Sequence, residues 1–194
     1  MPHIARDTLL TLEAYSKQRN DFRARVLAHK RHRIVHLGQH VTLLFEDELT
    51  VRYQIQEMLR IEKTFEEEGI AHELEAYNPL VPDGANLKAT MMIEYEDAAE
   101  RARELARLRG IEDTVYLQVA GHDKVYAIAD EDLDRENESK TSSVHFLRFE
   151  FTPSMIAGFR AGEPLAAGID LPAYRVRLDE VAPTTQAALA RDFA

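Results

Sequence analysis

The sequence contains no cysteine and only eight glycines among its 194 residues. The first absence excludes disulfide bonds, thiolate nucleophiles and cysteine-ligated zinc or iron–sulfur centres. Any metal ion would have to be held by histidine, aspartate or glutamate side chains. The chain also lacks the Gly-x-x-x-x-Gly-Lys loop, the Gly-x-Gly-x-x-Gly turn and the Gly-x-Ser-x-Gly elbow, so it shows no sign of common phosphate, dinucleotide or hydrolase sites.

Long apolar runs and an excess of positive charge are missing as well. No run of roughly 18 apolar residues is present, and the first residues lack the apolar centre of a secretory signal. We therefore expect no membrane span and a cytoplasmic location. The formal net charge of -10 disfavours nonspecific binding to nucleic acid or to an anionic membrane surface.

One local stretch departs from this acidic balance, namely Arg23, Arg25, Lys30, Arg31 and Arg33. The simpler interpretation is a solvated helix face that is balanced by acidic neighbours, and the alternative is contact with an anion or an acidic partner.

The pattern of elements predicts an α+β fold, with a largely antiparallel sheet packed against a long helix and several shorter helices. At 194 residues, with 45% hydrophobic and 30% charged residues, the chain is expected to form a single domain over 1–194. Helices are predicted over 6–30, over 48–68 with its end at Gly69, after Asp97, after Pro153 and after Pro183. Strands are predicted over 33–37, 41–45, 90–95, 114–119, 124–128, 143–151 and 174–178.

A turn-rich connector is predicted between the long helix and the strand at 90–95. It spans Ala71 to Ala89 and contains Pro79, Pro82 and an Asp83-Gly84 step, which specify bends. A loop of this length with apolar residues in it is usually packed or functional. The segment Asn78 to Asn86 is therefore a candidate surface for a partner.

Glu62 is the most conspicuous carboxylate of the long predicted helix. At 100° per residue it falls near the middle of the helix's apolar arc, which comprises Val51, Ile55, Met58, Leu59, Ile61 and Phe65. A buried carboxylate needs a cation, a metal or a proton. In the structural interpretation Glu62 pairs with Arg148 or Lys88. In the functional one it joins Arg148, Glu150, His145 or Glu94 in a pocket for a metal or a small polar ligand.

His145 is expected to point inward, because it alternates with Leu147 and Phe149 along the best strand of the chain. A core histidine with one hydrogen bond is the simpler interpretation, and a ligand or acid/base role is the alternative. The acidic stretch 130–138 does not have the spacing of a calcium loop and is expected to be solvated.

Other metal patterns fail. Ala76 replaces the second histidine of a zincin-like His72-Glu73 start, and no Glu-x-x-His pair exists for a di-iron bundle. A helix through residues 29–40 would stack four histidines on one side, but Gly38 and the β-branched Ile34-Val35 pair favour its end before His36. Exposed or partner-contacting roles are then expected for His29, His32, His36 and His40.

Several long motifs resemble a bacterial family, domain-of-unknown-function family 3501. They lie at 45–47, 53–62, 77–84, 88–94, 127–133, 140–142 and 144–150. The resemblance covers about residues 5–160, and residues 161–194 are treated as a C-terminal extension. The resemblance implies no activity. It implies an association with rubrerythrin-like and iron–sulfur oxidoreductase proteins, and hence with peroxide or anaerobic redox systems.

Two hypotheses follow from the sequence. The first is a cytoplasmic accessory protein that binds a partner, including a redox protein, through its acidic surface and the segment Asn78 to Asn86. The second is an enzyme or binding protein for a metal or a small ligand. Its ligand-binding residues would be Glu62, Lys88, His145, Arg148 and Glu150. No catalytic residue, metal ligand or cofactor is assigned, and enzymatic activity and association into homo-oligomers stay open.

Overall fold

The computed structural model describes residues 3–131 and 139–193. The acidic stretch that was expected to be a solvated loop falls largely on residues 132–138, outside this range. Within the described residues the helices are α1 (Leu12–Lys30), α2 (Glu48–Glu62), α3 (Glu67–Tyr77), α4 (Ala98–Arg107), α5 (Pro153–Arg160) and α6 (Pro183–Leu189). The strands are β1 (Ile34–Leu37), β2 (Val41–Glu46), β3 (Asn86–Ile93), β4 (Val115–Val119), β5 (Val125–Tyr126), β6 (Ile128–Ala129), β7 (Val144–Glu150), β8 (Leu165–Leu171) and β9 (Tyr174–Leu178).

The described strands form two antiparallel sheets where the sequence pattern predicts one, and their pairing together with the helices confirms the predicted α+β class. The first sheet has the order β1-β2-β3-β7-β6 and the second the order β5-β4-β8-β9. The sheets pack face to face, and one apolar cluster lies between them, with Leu43, Met91 and Phe149 from the first sheet and Leu117 and Ile169 from the second. Alternation along each strand of the first sheet therefore directs every other side chain away from this cluster, toward its outer face.

Both edges of this sandwich are fastened. At one edge the chain passes from the second sheet to the first within five residues, because β5 pairs with β4 and β6 pairs with β7. The intervening Ala127 donates its N–H to the carbonyl of Val115 at 2.9 Å. At the other edge the Tyr174 hydroxyl donates to the carbonyl of Leu37 at 2.8 Å and accepts the N–H of His40 at 3.0 Å.

The helices α1 to α3 form a layer on the outer face of the first sheet, and this layer has an apolar cluster of its own. The cluster is distinct from the one between the sheets and comprises Ile4, Leu9, Val51, Ile55, Leu59, Ile70, Leu74 and Val81. In the described part of the chain, no helix has both the length and the apolar composition that crossing a membrane requires.

The long helix ends earlier than predicted. It stops at Glu62, because Lys63 adopts the left-handed conformation with φ 56°. Helix α3 then begins at Glu67, still within the predicted helix, and continues to Tyr77 in the predicted connector. Ile61 and Phe65, which helped to define the predicted apolar arc, are 61% and 71% exposed. Without them the buried stripe is Val51, Ile55 and Leu59, and Glu62 faces solvent. The expectation that Glu62 projects inward is therefore wrong.

Arg33 also differs from its prediction, since only 1% of it is exposed. Its guanidinium donates to the carbonyls of Phe45 at 2.9 Å and Glu46 at 3.0 Å. It also pairs with the carboxylates of Asp192 and Asp47, the latter at 3.4 Å. Arg33 thus joins the end of β2 to the C-terminal segment rather than lying on a solvated basic face.

Residues 161–193 are an integral part of the sandwich. Strand β8 lies between β4 and β9 in the second sheet. Val181, Leu189 and Phe193 belong to the apolar cluster between the sheets, and the Phe193 ring packs edge-on against Phe151 and Phe159.

Candidate ligand-binding cleft

Three charged residues form a row across the outer face of the first sheet. Glu46 on β2 is opposite Lys88 on β3, and Lys88 is opposite Arg148 on β7. The neighbouring positions Ala89 and Leu147 face the apolar cluster between the sheets, so the alternation of the strands fixes the outward orientation of the row.

The helical layer covers this row incompletely and leaves a cleft. The cleft has two cavities of ≈ 510 Å³ and ≈ 310 Å³, and Tyr77, Leu80 and Phe146 line both of them. Charged and polar residues of the larger cavity are Glu73, Glu75, Lys88, Glu131 and Arg148. Those of the smaller one include Lys30, Glu46, Thr50, Gln54 and Thr90. The predicted partner segment forms part of this wall, because Pro79 and Leu80 line the larger cavity.

Lys88 is a half-buried cation in the larger cavity. Its ammonium donates to the carbonyl oxygen of Pro79, and no carboxylate of the described residues lies within 4.0 Å of it. Burial lowers the pKa of Lys88, and the guanidinium of Arg148 lowers it further, while the charge of Asp83 opposes the shift. Burial disfavours a charged amine unless an opposite charge approaches it.

Arg148, by contrast, already has carboxylate partners. Its Nε and Nη2 donate to the two oxygens of Glu131 at 2.7 Å each, and its Nη1 donates to Glu150. The hydrogen bonds to Glu131 are the main cause of the raised pKa of Arg148. Glu150 also accepts from the side-chain amide of Asn86 at 2.9 Å. The structure therefore brings together three of the predicted site residues, Lys88, Arg148 and Glu150, at one end of the sheet.

Glu46 is the buried carboxylate of the cleft, and sequence reasoning did not select it as a site residue. It is 9% exposed, and its two oxygens accept hydrogen bonds from the hydroxyls of Thr50 at 2.5 Å and Thr90 at 2.7 Å. Strand β2 is buried along its whole length, so alternation alone does not reveal which residue faces the cleft. The available signal was the position of Glu46 directly before the Asp47 capping residue of α2.

Glu62 lies near the cleft without lining either cavity. It is close enough to Glu73 for its charge to raise the pKa of that carboxyl, although burial of Glu73 is the larger cause. Glu62 is thus an exposed neighbour of a residue that lines the larger cavity.

His145 lies on the opposite face of β7 and is 0% exposed, as the alternation predicts. Its Nδ1 is 2.5 Å from Asp130, and its Nε2 is 2.9 Å from the Thr141 hydroxyl and 3.1 Å from the Ser142 carbonyl. The Thr141 hydroxyl in turn donates to Glu112 at 3.2 Å. His145 therefore does not face the same space as Lys88 or Arg148.

Among the described residues, Glu112, Asp130 and His145 form the group that most resembles a metal centre, and it is called the His145 cluster. Ligand atoms of Glu112, Asp130 and His145 lie within 4.8 Å of one another, and such a donor set suits a divalent transition metal. Both imidazole nitrogens, however, already contact protein oxygens. Asp130 has φ 49°, and its carboxylate accepts the N–H of Phe146 at 2.9 Å, so the cluster fastens the chain after β6 to β7.

His29, His36 and His40 do not converge, in agreement with the expected end of the helix before His36. His29 lies 2.5 Å from Asp47, and His36 contacts Thr42 at 3.1 Å. His40 stacks on Tyr95 with ring centroids 4.0 Å apart, and its Nδ1 lies 3.0 Å from the carbonyl of Glu94. The end of α1 at Lys30 explains this separation, because no helix continues through the later positions.

Comparisons with known proteins agree with the predicted resemblance. The model of a family described as a protein of unknown function (DUF3501) matches residues 3–193 and so includes the segment treated as an extension. A solved structure, described as a novel protein of unknown function from Burkholderia pseudomallei K96243, is 56% identical over 100% of both chains, with a TM-score of 0.95. No curated protein matches the chain. The chain therefore belongs to the DUF3501 family, whose function is not established.

Proposed function

We propose that the protein binds a small organic molecule with an acidic group in the cleft between the helical layer and the first sheet. The observation that carries this proposal is Lys88, a half-buried ammonium whose hydrogen-bond partner is a carbonyl. Removing a charged amine from water is costly, and an anionic group of a ligand would offset that cost.

The size and lining of the cleft support the same proposal. The larger cavity, ≈ 510 Å³, falls within the usual range for small-molecule sites, and Met58, Leu80 and Phe146 supply an apolar wall. Arg148 is already engaged by Glu131 and Glu150. Lys88 is therefore the donor that an entering acidic group meets, while Arg148 holds the carboxylates of the rim in place.

Calorimetric titration with linear monocarboxylates, butanoate through octanoate, tests the proposal. We expect Lys88→Met to weaken binding at least ~tenfold, equivalent to about 1.4 kcal/mol, because the cationic end of the site is removed. Lys17→Met is the matched control, since Lys17 is an exposed lysine of α1 that pairs with Glu13. The proposal fails if the protein binds none of these acids, or if Lys88→Met binds them as well as Lys17→Met does.

A second function, that of a cytoplasmic accessory protein, is favoured by the exposed Ile61 and Phe65 at the end of α2. A redox protein is the partner that the family resemblance implies. We expect a purified rubrerythrin-type protein to bind the wild-type chain and to bind an Ile61→Ser, Phe65→Ser variant less well in sedimentation experiments. Equal binding by both proteins, or no binding, would contradict this proposal, and sedimentation of the chain alone reports self-association.

A further inference from the structure

Glu46 and Lys88 have opposite charges and occupy directly opposed positions on adjacent strands, yet they do not pair with each other. Opposed residues on one face of an antiparallel pair are close neighbours, and unlike charges at such positions usually attract. Here the ammonium is held by the Pro79 carbonyl. The carboxylate is held by the hydroxyls of Thr50 and Thr90. The cleft thus presents a separated negative and positive group, each held by neutral partners.

The other charges of the cleft do not change this arrangement. Lys30 lines the smaller cavity, but its ammonium lies over the ring of Tyr53, 5.7 Å from the centroid, and makes no ion pair with Glu46. In the larger cavity, Glu73, Glu75 and Glu131 add carboxylates near Lys88. A ligand that carried negative charge alone would meet these like charges, whereas a ligand with an additional amine would match both ends of the cleft.

The two cavities that contain these charged groups share a largely apolar wall. Tyr77, Leu80 and Phe146 line both cavities and therefore lie where these adjoin. Such a wall suits a ligand whose two polar ends are joined by methylene groups or by a ring.

We infer that the ligand of the cleft, if the proposed function holds, is a zwitterion whose amine is bound by Glu46 and whose carboxylate is bound by Lys88. The chemical class is that of ω-amino acids and molecules of the same charge pattern. In this arrangement the hydroxyls of Thr50 and Thr90 orient the carboxylate of Glu46 toward the ligand amine.

The test compares three probes, ω-aminohexanoate, hexanoate and hexylamine, by calorimetry, together with a length series from ω-aminobutanoate to ω-aminooctanoate. We expect one member of the series to bind at least ~tenfold more tightly than the acid or the amine of the same length. Glu46→Gln should abolish this preference without weakening the binding of hexanoate, which has no amine, whereas Lys88→Met should weaken the binding of both acids. Glu94→Gln is the matched control, because Glu94 also accepts a threonine hydroxyl on the first sheet but does not line the cleft.

A second measurement uses the wild-type protein and therefore needs no variant. In the wild-type protein, nuclear Overhauser effects should connect the methylene next to the ligand amine to the methyl groups of Thr50 and Thr90. The inference is overturned if the amine never improves binding, if Glu46→Gln keeps the preference, or if these effects come from the carboxylate end. In those cases hexanoate binding that depends on Lys88 would leave the proposed function standing. If no carboxylate binds, both proposals fail.

Discussion

The Arg33 cluster and the cleft bury charge in opposite ways, although the end of β2 contributes to both. Arg33 donates to the carbonyls of Phe45 and Glu46, and the side chain of Glu46 lines the cleft. Around Arg33 the chain supplies the counter-charges itself, with Asp47 and Asp192 as ion-pair partners and backbone carbonyls as further acceptors. In the cleft, Glu46 and Lys88 are held by neutral groups. A closed set of charges stabilises one arrangement of the chain, whereas an open set provides complementary groups for another molecule.

The largest effect that this comparison predicts is the loss of the Arg33 charge. We expect Arg33→Met to lower the free energy of unfolding by about 3 to 5 kcal/mol, because it removes the guanidinium that pairs with the largely buried carboxylates of Asp47 and Asp192. Urea unfolding measures the change. Arg31→Met is the control, since Arg31 is exposed in the same basic stretch and should change stability by less than about 0.5 kcal/mol. Equal stabilities for the two variants would show that the ion pairs of Arg33 do not stabilise the fold, and the contrast with the cleft would then be wrong.

The next effect is the pH dependence that Asp192 contributes. Burial raises the pKa of Asp192 from 3.8 to about 6, in spite of the nearby Arg33. Between these pH values the folded protein holds a proton that the unfolded chain has released, so this group makes stability fall as pH rises. Asp192→Asn should abolish this fall in the free energy of unfolding, which amounts to up to about 3 kcal/mol.

The measurement for Asp192 is the difference in unfolding free energy between wild type and Asp192→Asn, at about pH 4 and about pH 7. The variant should gain stability relative to wild type at the higher pH. The depressed pKa of Asp47 lies below this window, and Asp47 is present in both proteins, so its titration does not obscure the difference. A relative gain at the lower pH would show that the Arg33 pair dominates the titration of Asp192 instead.

The smallest effects on stability are expected at Lys88 in the cleft and at Glu62 beside it. Lys88→Met should leave stability unchanged or raise it by up to about 1 kcal/mol, because it replaces an ammonium that burial disfavours by an apolar side chain of similar length. Glu62→Ala, at an exposed position, should stay within about 0.5 kcal/mol of wild type. Thermal unfolding in the absence of ligand measures both. A large loss of stability in Lys88→Met would show that the charge of Lys88 stabilises the fold, as that of Arg33 does.

The strands of the first sheet could be predicted from sequence more completely than the helical layer, whereas β8 of the second sheet was not predicted. Alternation along β7 correctly separates the inward His145 from the outward Arg148, because a period of two is not altered by distant contacts. The end of α2 could not be found in this way. Lys63 adopts a left-handed conformation without being glycine, and the apolar Ile61 and Phe65 are exposed, so both usual signals were misleading. Helix α3 was not predicted, because Gly69 has the sequence pattern of a helix end although it lies within this helix.

For the candidate site, sequence analysis selected Lys88 and Arg148 but not Glu46. The position of Glu46 opposite Lys88 is a property of the sheet register, which no local pattern encodes. The cavities depend on how the helical layer lies over the sheet, and this is likewise decided by packing between distant segments. The sequence therefore indicates which residue types could bind a ligand, but only the fold shows which of them lie together in the cleft.

The separate apolar cluster of the helical layer has a consequence for the dynamics of the protein. A unit with its own small core can detach from its support while its internal packing survives, at a lower free energy than global unfolding. Amide hydrogens of α1 to α3 would then exchange with solvent earlier than those of the sandwich, whose two edges are tied together. Such partial opening would let a molecule reach the half-buried groups beneath the layer, with the sheets serving as the rigid floor.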